Sequence, residues 1–324
     1  VELPAVPGLG GLYARGAATS ARHAVASRVG VAARELPRVT YLARDVRADA
    51  GRLTAYQHLL GESASDVLPA GFVHVLAFPV ATALMVRADF PLPLAGLLHL
   101  ANTIEQLRPV SVGDRLEVRA YARGLRPHRS GTQVELVAEV RVGAHSSGAG
   151  VAGEHASVPG ELAWRGVSTY LARTHPAVSD PARARARAGS DTSRGVQVGV
   201  PALTGQWRLD ADVGRRYAAV SGDRNPIHLS ALSARALGFP RAIAHGMYTA
   251  SRALATVGPA RTEAFSWTVE FVAPVLLPGT VTVRVAALHT APTGVGYPAP
   301  AGFGYTGWNA RSGKVHLTGT VLPC

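Results

Sequence analysis

Between Tyr217 and Leu254 the chain reads YAAVSGDRNPIHLSALSARALGFPRAIAHGMYTASRAL, placing a carboxylate (Asp223), an amide (Asn225) and an imidazole (His228) within six residues. Ser221-Gly222-Asp223-Arg224-Asn225-Pro226 is a turn cluster. Asp and Asn side chains hydrogen-bond their own backbone, and Pro226 pushes Asn225 away from helical angles. From Ser230 the run ALSARALGF has helical composition, ended by Gly238 and Pro240, so His228 sits where loop hands over to helix. On a straight strand a carboxylate and an imidazole five positions apart point to opposite faces; across a bend they can converge on one water, as acid–base chemistry requires. Further on, Met247, Ala250, Leu254 and Val257 recur at spacings of three and four, a buried helical face with Gly246 in the first turn. Backbone N–H groups there lack intrahelical acceptors and carry the positive end of the dipole, so they can hold a developing oxyanion. Taken singly, Asp223 reads as a turn residue, His228 as a helix-start histidine and Gly246 as a close-packing glycine.

The pattern Y-x-x-V-S-G-D-x-N-P-I-H followed by A-H-G-M resembles the signature of the MaoC-like, (R)-specific enoyl-CoA hydratase (hydratase 2) family. The resemblance implies an α+β double hot-dog, with two antiparallel sheets each wrapped around a central helix and paired edge to edge. It implies reversible hydration of trans-2-enoyl thioesters, or dehydration of (3R)-3-hydroxyacyl thioesters, by a cytoplasmic hydro-lyase of fatty-acid metabolism. Asp223 and His228 are then the catalytic pair, the Gly246 N–H is the oxyanion donor, Asn225 braces the loop, and Ser221 and Gly222 support it. No cofactor or metal is implied, the substrate carrying its own CoA or phosphopantetheine. Which of Asp223 and His228 is the principal base stays open, as do two alternatives on the same fold: an acyl-thioesterase and a non-catalytic acyl-thioester-binding subunit.

Length and composition bound these readings. At 324 residues and 47 % apolar content the chain can hold two domains with real cores. A single cysteine, Cys324, excludes a disulfide framework, and no HExxH, HxxxH or GxSxG occurs. The net charge of +12 comes almost wholly from arginine, Lys314 being the one lysine. It suits either the phosphates of a CoA or acyl-carrier-protein thioester or simply a solvated basic face. No basic block is interleaved with aromatics, which disfavours nucleic acid. The segment Pro69 to Val86 is apolar, but His74 and Pro79 interrupt it, so a buried helix is expected rather than a membrane span.

Similar pieces recur in order. Tyr56 and Gly61 match Tyr217 and Gly222 at an offset of 161, setting Glu62 opposite Asp223; His74 matches His245 at 171; Arg108-Pro109 matches Ala273-Pro274 at 165. Two copies of one fold are expected. The change from 161 to 171 means that the first copy lacks ten residues, those corresponding to the loop and helix that carry Asn225 and His228. It also has Val75 where the second has Gly246, so it is expected to be catalytically empty, with room for a long acyl tail. His245, Tyr217 and Tyr56 are assigned structural roles because His74 and Tyr56 persist in the empty copy.

The expected divisions are an N-terminal extension (1–37) with a helix from Ala17 to Ala26 and no assigned function, a first hot-dog (38–175), a linker (176–203) containing ARARARA, and a second hot-dog (204–324). Strands are predicted around residues 39–46, 116–121, 134–142, 162–170, 207–210, 265–272, 280–288 and 314–322. Gly302-Phe-Gly304-Tyr-Thr-Gly307 satisfies GxGxxG but precedes a strand rather than a helix, and is predicted to be a flexible hairpin. One fused pair of hot-dogs is compatible with a monomer or a homodimer.

Overall fold

In the computed structural model, residues 1–28, 35–143, 160–173, 204–289 and 301–324 are described. The expected linker, 176–203, lies outside them. The first half of the chain carries α1 (Leu9–Arg28), β1 (Thr40–Val46), α2 (Ala50–Leu60), α3 (Ala70–Met85), β2 (Leu98–Gln106), β3 (Leu116–His128), β4 (Gly131–Val142) and β5 (Glu161–Arg173). The second half carries β6 (Gly205–Leu209), α4 (Val213–Ser221), α5 (Pro226–Leu229), α6 (Ala231–Ala236), α7 (Gly246–Val257), β7 (Phe265–Phe271), β8 (Gly279–Leu288), β9 (Gly302–Trp308) and β10 (Val315–Pro323).

The ten strands form one antiparallel sheet in the order β1-β3-β4-β5-β2-β7-β10-β9-β8-β6. Each half has the same internal order, and the halves join through β2 and β7. At the junction Thr103 faces Thr268. These residues are 165 apart, the repeat offset itself, so a residue meets its own counterpart and the pseudo-two-fold axis passes there. This is the double hot-dog the resemblance implies. α3 and α7 are the two central helices, and Tyr56 of α2 reaches across to donate to Ser251 of α7 at 3.0 Å. Gly71 of α3 permits this crossing, since a Cβ there would stand 2.3 Å from the Ser251 hydroxyl and 2.4 Å from that of Tyr56.

α3 is apolar all round, and every residue but Phe78 is buried. No described helix is long and apolar enough to cross a membrane.

Three elements differ from the sequence expectation. The helix predicted over Ala17–Ala26 runs from Leu9 to Arg28. β2 was not anticipated because its inward positions include Asn102 and Gln106, so the strand shows no apolar alternation. The Gly302–Gly307 segment is β9, paired on both edges rather than a flexible hairpin. Its glycines make room: a Cβ on Gly307 would stand 2.5 Å from Leu317 Cδ2. Between them Tyr305 accepts from Trp267 Nε1 and donates to the Thr268 carbonyl.

Candidate active site

The site is built on the end of α4. Gly222 caps that helix in the left-handed region (φ 76°), which favours glycine and turns the chain toward Asp223. Ser221 Oγ donates to the Tyr217 carbonyl and accepts the Asp223 N–H. Asp223 Oδ1 accepts the Asn225 N–H at 3.1 Å, and the Asn225 side chain caps α5. This is the Asx-turn logic of the sequence, and it leaves the Asp223 carboxylate and the His228 ring on the same side of the bend. From α2 in the other half, the Arg52 guanidinium donates to the carbonyls of Val220 and Ser221 at 2.6 and 3.1 Å, neutralising the negative end of α4.

His228 is buried, and its Nδ1 lies 2.8 Å from the Ile243 carbonyl oxygen. A carbonyl only accepts, so Nδ1 carries the proton and Nε2 is the lone-pair nitrogen of the neutral ring. Burial, with the neighbouring His245 acting in the same direction, lowers the His228 pKa to about 3 against the pull of Asp223, so the ring is neutral at neutral pH. α5 comes very close to α4 here: a Cβ on Gly214 would stand 2.0 Å from the His228 carbonyl oxygen.

His245, the residue before α7, stacks on His228 with centroids 3.7 Å apart. Its Nε2 is 3.0 Å from the Asp223 carbonyl oxygen and 3.8 Å from Oδ2. Its structural role is thus exercised inside the site, holding the Asp223 main chain. For Asp223 itself, burial pushes the carboxyl upward, but His245, His228, a hydroxyl donor from Tyr13 and the Asn225 N–H outweigh it and hold it below the ordinary carboxylate value.

Gly246 is the first residue of α7, where the backbone donors point out of the helix. A Cβ at this position would fall 2.9–3.0 Å from the Phe271 ring, so any larger residue would have to push that ring aside. The equivalent place in the first half is different in kind. There the helix begins at Ala70, so the amide of Val75, Gly246's counterpart, lies beyond the first turn where intrahelical acceptors take the donors. The Val75 amide is thus not placed as the Gly246 amide is.

Ser221, Asp223, Asn225, His228 and Gly246 line one cavity of about 270 Å³; Gly222 supports its edge without lining it. Val75, Phe78, Met85, Leu94 and Leu97 form an apolar wall from the first half. Tyr13, His74, His99 and Tyr170 add a polar one. Sequence reasoning missed these four and Arg52, since each is brought in by tertiary packing. Tyr13 belongs to the N-terminal segment to which the sequence assigned no function, yet its hydroxyl donates to Asp223 Oδ1.

Asp223, His228 and His245 offer three ligand atoms within 4.8 Å of one another. Two of the ring nitrogens already face carbonyls, however, and the stacked rings, 25° from parallel, hold their other lone pairs in nearly parallel planes rather than converging as metal ligands do. The arrangement is fitted instead to proton exchange beside an anion-stabilising amide.

Comparison with known proteins gives a consistent answer. Residues 197–292 match the MaoC like domain. The chain is 32% identical over 287 residues to 3-hydroxyacyl-thioester dehydratase X of Mycobacterium tuberculosis, covering 89% of this chain and 90% of that protein. The crystal structure of that relative, HtdX, superposes with a TM-score of 0.69, covering 88% of this chain and all (100%) of the other at 31% identity. A shorter match, 40% identical over 80 residues, is to 3-hydroxybutyryl-CoA dehydratase of Methylorubrum extorquens, covering 24% of this chain and 51% of that protein. By its site loop, its paired hot-dogs and its similarity over nearly the whole length of such a relative, the chain belongs to the MaoC-like dehydratase family.

Proposed function

We propose that the protein dehydrates (3R)-3-hydroxyacyl thioesters and, in reverse, hydrates trans-2-enoyl thioesters, with Asp223 and His228 as the acid–base pair and the Gly246 N–H as oxyanion donor. The observation that carries this reading is one cavity lined by an ionised carboxylate, a neutral imidazole and a first-turn glycine amide. In the dehydration direction His228 Nε2 takes the C2 proton while the Gly246 amide holds the charge that develops on the thioester oxygen. One such donor supplies about 3 kcal/mol. Asp223 Oδ2 holds the C3 hydroxyl and stabilises the imidazolium. As C3–O breaks and C2=C3 forms, the proton passes from His228 to the departing oxygen, which leaves as water. Only proton transfer and charge stabilisation are involved, so the residues present suffice for the chemistry.

The test is a spectrophotometric hydration assay with crotonyl- to dodecenoyl-CoA, repeated with acyl-carrier-protein thioesters, and chiral analysis of the product. Loss of the enoyl band with formation of the (3R)-alcohol is expected. Release of free thiol would establish the thioesterase alternative instead, and tight binding without a change in the enoyl band would establish the non-catalytic one.

A further inference from the structure

The Asp223 carboxylate belongs to the second half of the chain, but the side-chain hydroxyl that donates to it comes from 210 residues away, from Tyr13 on α1. Tyr13 is held from both sides. Ahead of it, Leu3 N–H donates to the Leu42 carbonyl at 2.7 Å and Leu42 N–H to that of Val1 at 3.0 Å, tying the N-terminus to the edge strand β1. Next to it Leu12 is fully buried. Beyond it, Gly16 lies flush on the cavity wall, where a Cβ would stand 2.6 Å from Leu94 Cδ2. Leu9 closes on the loop itself, since a Cβ on Gly222 would meet Leu9 Cδ1 at 2.5 Å. The helix is thus seated on the site by contacts on either side of the tyrosine.

Oδ1 of Asp223 accepts both Tyr13 and the Asn225 N–H. With that oxygen taken, the carboxylate plane is fixed and Oδ2 is the oxygen beside His245. We propose that Tyr13 is a positioning residue of the acid–base pair, its phenol locking the Asp223 carboxylate so that Oδ2 alone serves the substrate. On this proposal α1, outside the matched 197–292 domain, is a working part of the active site. The inference rests on the assignment of Asp223 as a catalytic group.

The groups facing Asp223 come from every surrounding element: Tyr13 on α1, His74 on α3, His99 on β2, Tyr170 on β5, Tyr217 on α4, His228 on α5 and His245 before α7. Burial keeps the four histidines neutral and the three phenols un-ionised at neutral pH. Near neutrality and just below it, Asp223 is therefore the charged member of this set. Removing a donor to its ionised form raises its affinity for a proton.

Tyr13→Phe deletes one oxygen and keeps the ring. In the full-length protein, with the enoyl-CoA that the wild type hydrates fastest, it is expected to lower kcat about tenfold with KM within about twofold. The acid limb of kcat/KM should also move upward by about one pH unit. A fall in kcat with an unmoved limb would show a merely structural tyrosine and overturn the proposal, as would unchanged kinetics. If Tyr13→Phe does not fold, Tyr13→Gln, which keeps a donor, must retain more kcat than Tyr13→Leu; equal rates sink the idea. Asp223→Asn in the same assay separates the two levels. If it turns over normally, the catalytic assignment fails and this proposal with it; if it is inactive while Tyr13→Phe behaves as wild type, only the role of Tyr13 fails.

Discussion

At the scale of single residues, the two members of the proposed acid–base pair differ in how their surroundings prepare them. His228 is kept neutral by burial and has one nitrogen committed to the Ile243 carbonyl, so a single lone pair is available. Asp223 is kept ionised by the donors around it and has one oxygen committed. Asp223→Asn preserves shape but removes the charge that stabilises a protonated His228, and His228→Ala removes the lone pair. Each is expected to reduce kcat by about 10²–10⁴-fold, with the circular dichroism spectrum unchanged. Near-normal turnover in either variant would refute the pair. Because the Asp223 carboxyl is held low and the His228 ring is neutral down to about pH 3, activity per folded molecule should persist as pH falls through the ordinary carboxylate range, as a kcat/KM profile normalised to the folded fraction at each pH would show. Asp223 and His228 were legible from sequence because the bend that brings them together is local, written in Gly222, Asn225 and Pro226. His245 was legible as a structural residue but not as a stacking partner of His228, since that contact depends on how the helix behind it is docked.

At the scale of elements, what matters is how closely α4, α5 and α7 approach one another. Gly214 on α4 touches the main chain of His228 on α5, and backbone cannot move aside as a flexible side chain can. Gly214→Ala is therefore expected to displace α5, reducing kcat at least about tenfold through misplacement of His228 alone and destabilising the fold by about 1–3 kcal/mol. Steady-state kinetics and denaturant titration measure the two effects. A fully active, fully stable Gly214→Ala protein would show that the α4–α5 contact does not position the imidazole. Nothing in the sequence marks this glycine, which lies in an ordinary amphipathic helix and has no turn to signal it. Strand β2 was hidden for a related reason. Asn102 is buried at an inward position, where Ser168 Oγ donates to its Oδ1 at 2.9 Å and its amide donates to Met247 sulfur at 3.4 Å. Polar residues whose partners come from other elements defeat a reading based on apolar alternation. The central helices, by contrast, were visible in outline, α3 as a largely apolar run interrupted by His74 and Pro79 and α7 through its three-and-four spacing.

At the scale of the whole molecule, the repeat was readable from three offsets. What the offsets did not reveal is that the first half contributes more than an apolar wall. His74 and His99, with ring centroids 6.4 Å apart, face the cavity from the first half, as His228 and His245 do from the second. The apolar lining from the first half gives one prediction. If it houses the acyl tail, kcat/KM should rise about fourfold per added methylene until the wall is covered, each buried methylene contributing about 0.8 kcal/mol. A strict preference for four-carbon thioesters would contradict it. The histidines give another, on stability. Burial lowers the pKa of His74 to about 4, and those of His99 and His228 to about 3, from the ordinary 6.5. Above about pH 6.5 neither the folded nor the unfolded rings bind protons, and stability does not depend on these groups. Below it the unfolded chain takes up protons that the folded chain refuses, so stability falls as pH drops, until the folded values near 4 and 3 are reached. These three protons correspond to a slope of up to about 4 kcal/mol per pH unit, and His245 and His316, also lowered by burial, add to it. Asp223 adds to the loss only at the acid end, where its depressed carboxyl protonates. Denaturant titrations at pH 7.5, 6.5, 5.5 and 5.0 should show a plateau followed by a steepening decline, and His74→Gln should remove about one proton from the slope. A stability that stays level down to pH 5 would mean that these imidazoles are not held neutral by burial, and the unprotonated base assigned to His228 would lose its physical cause.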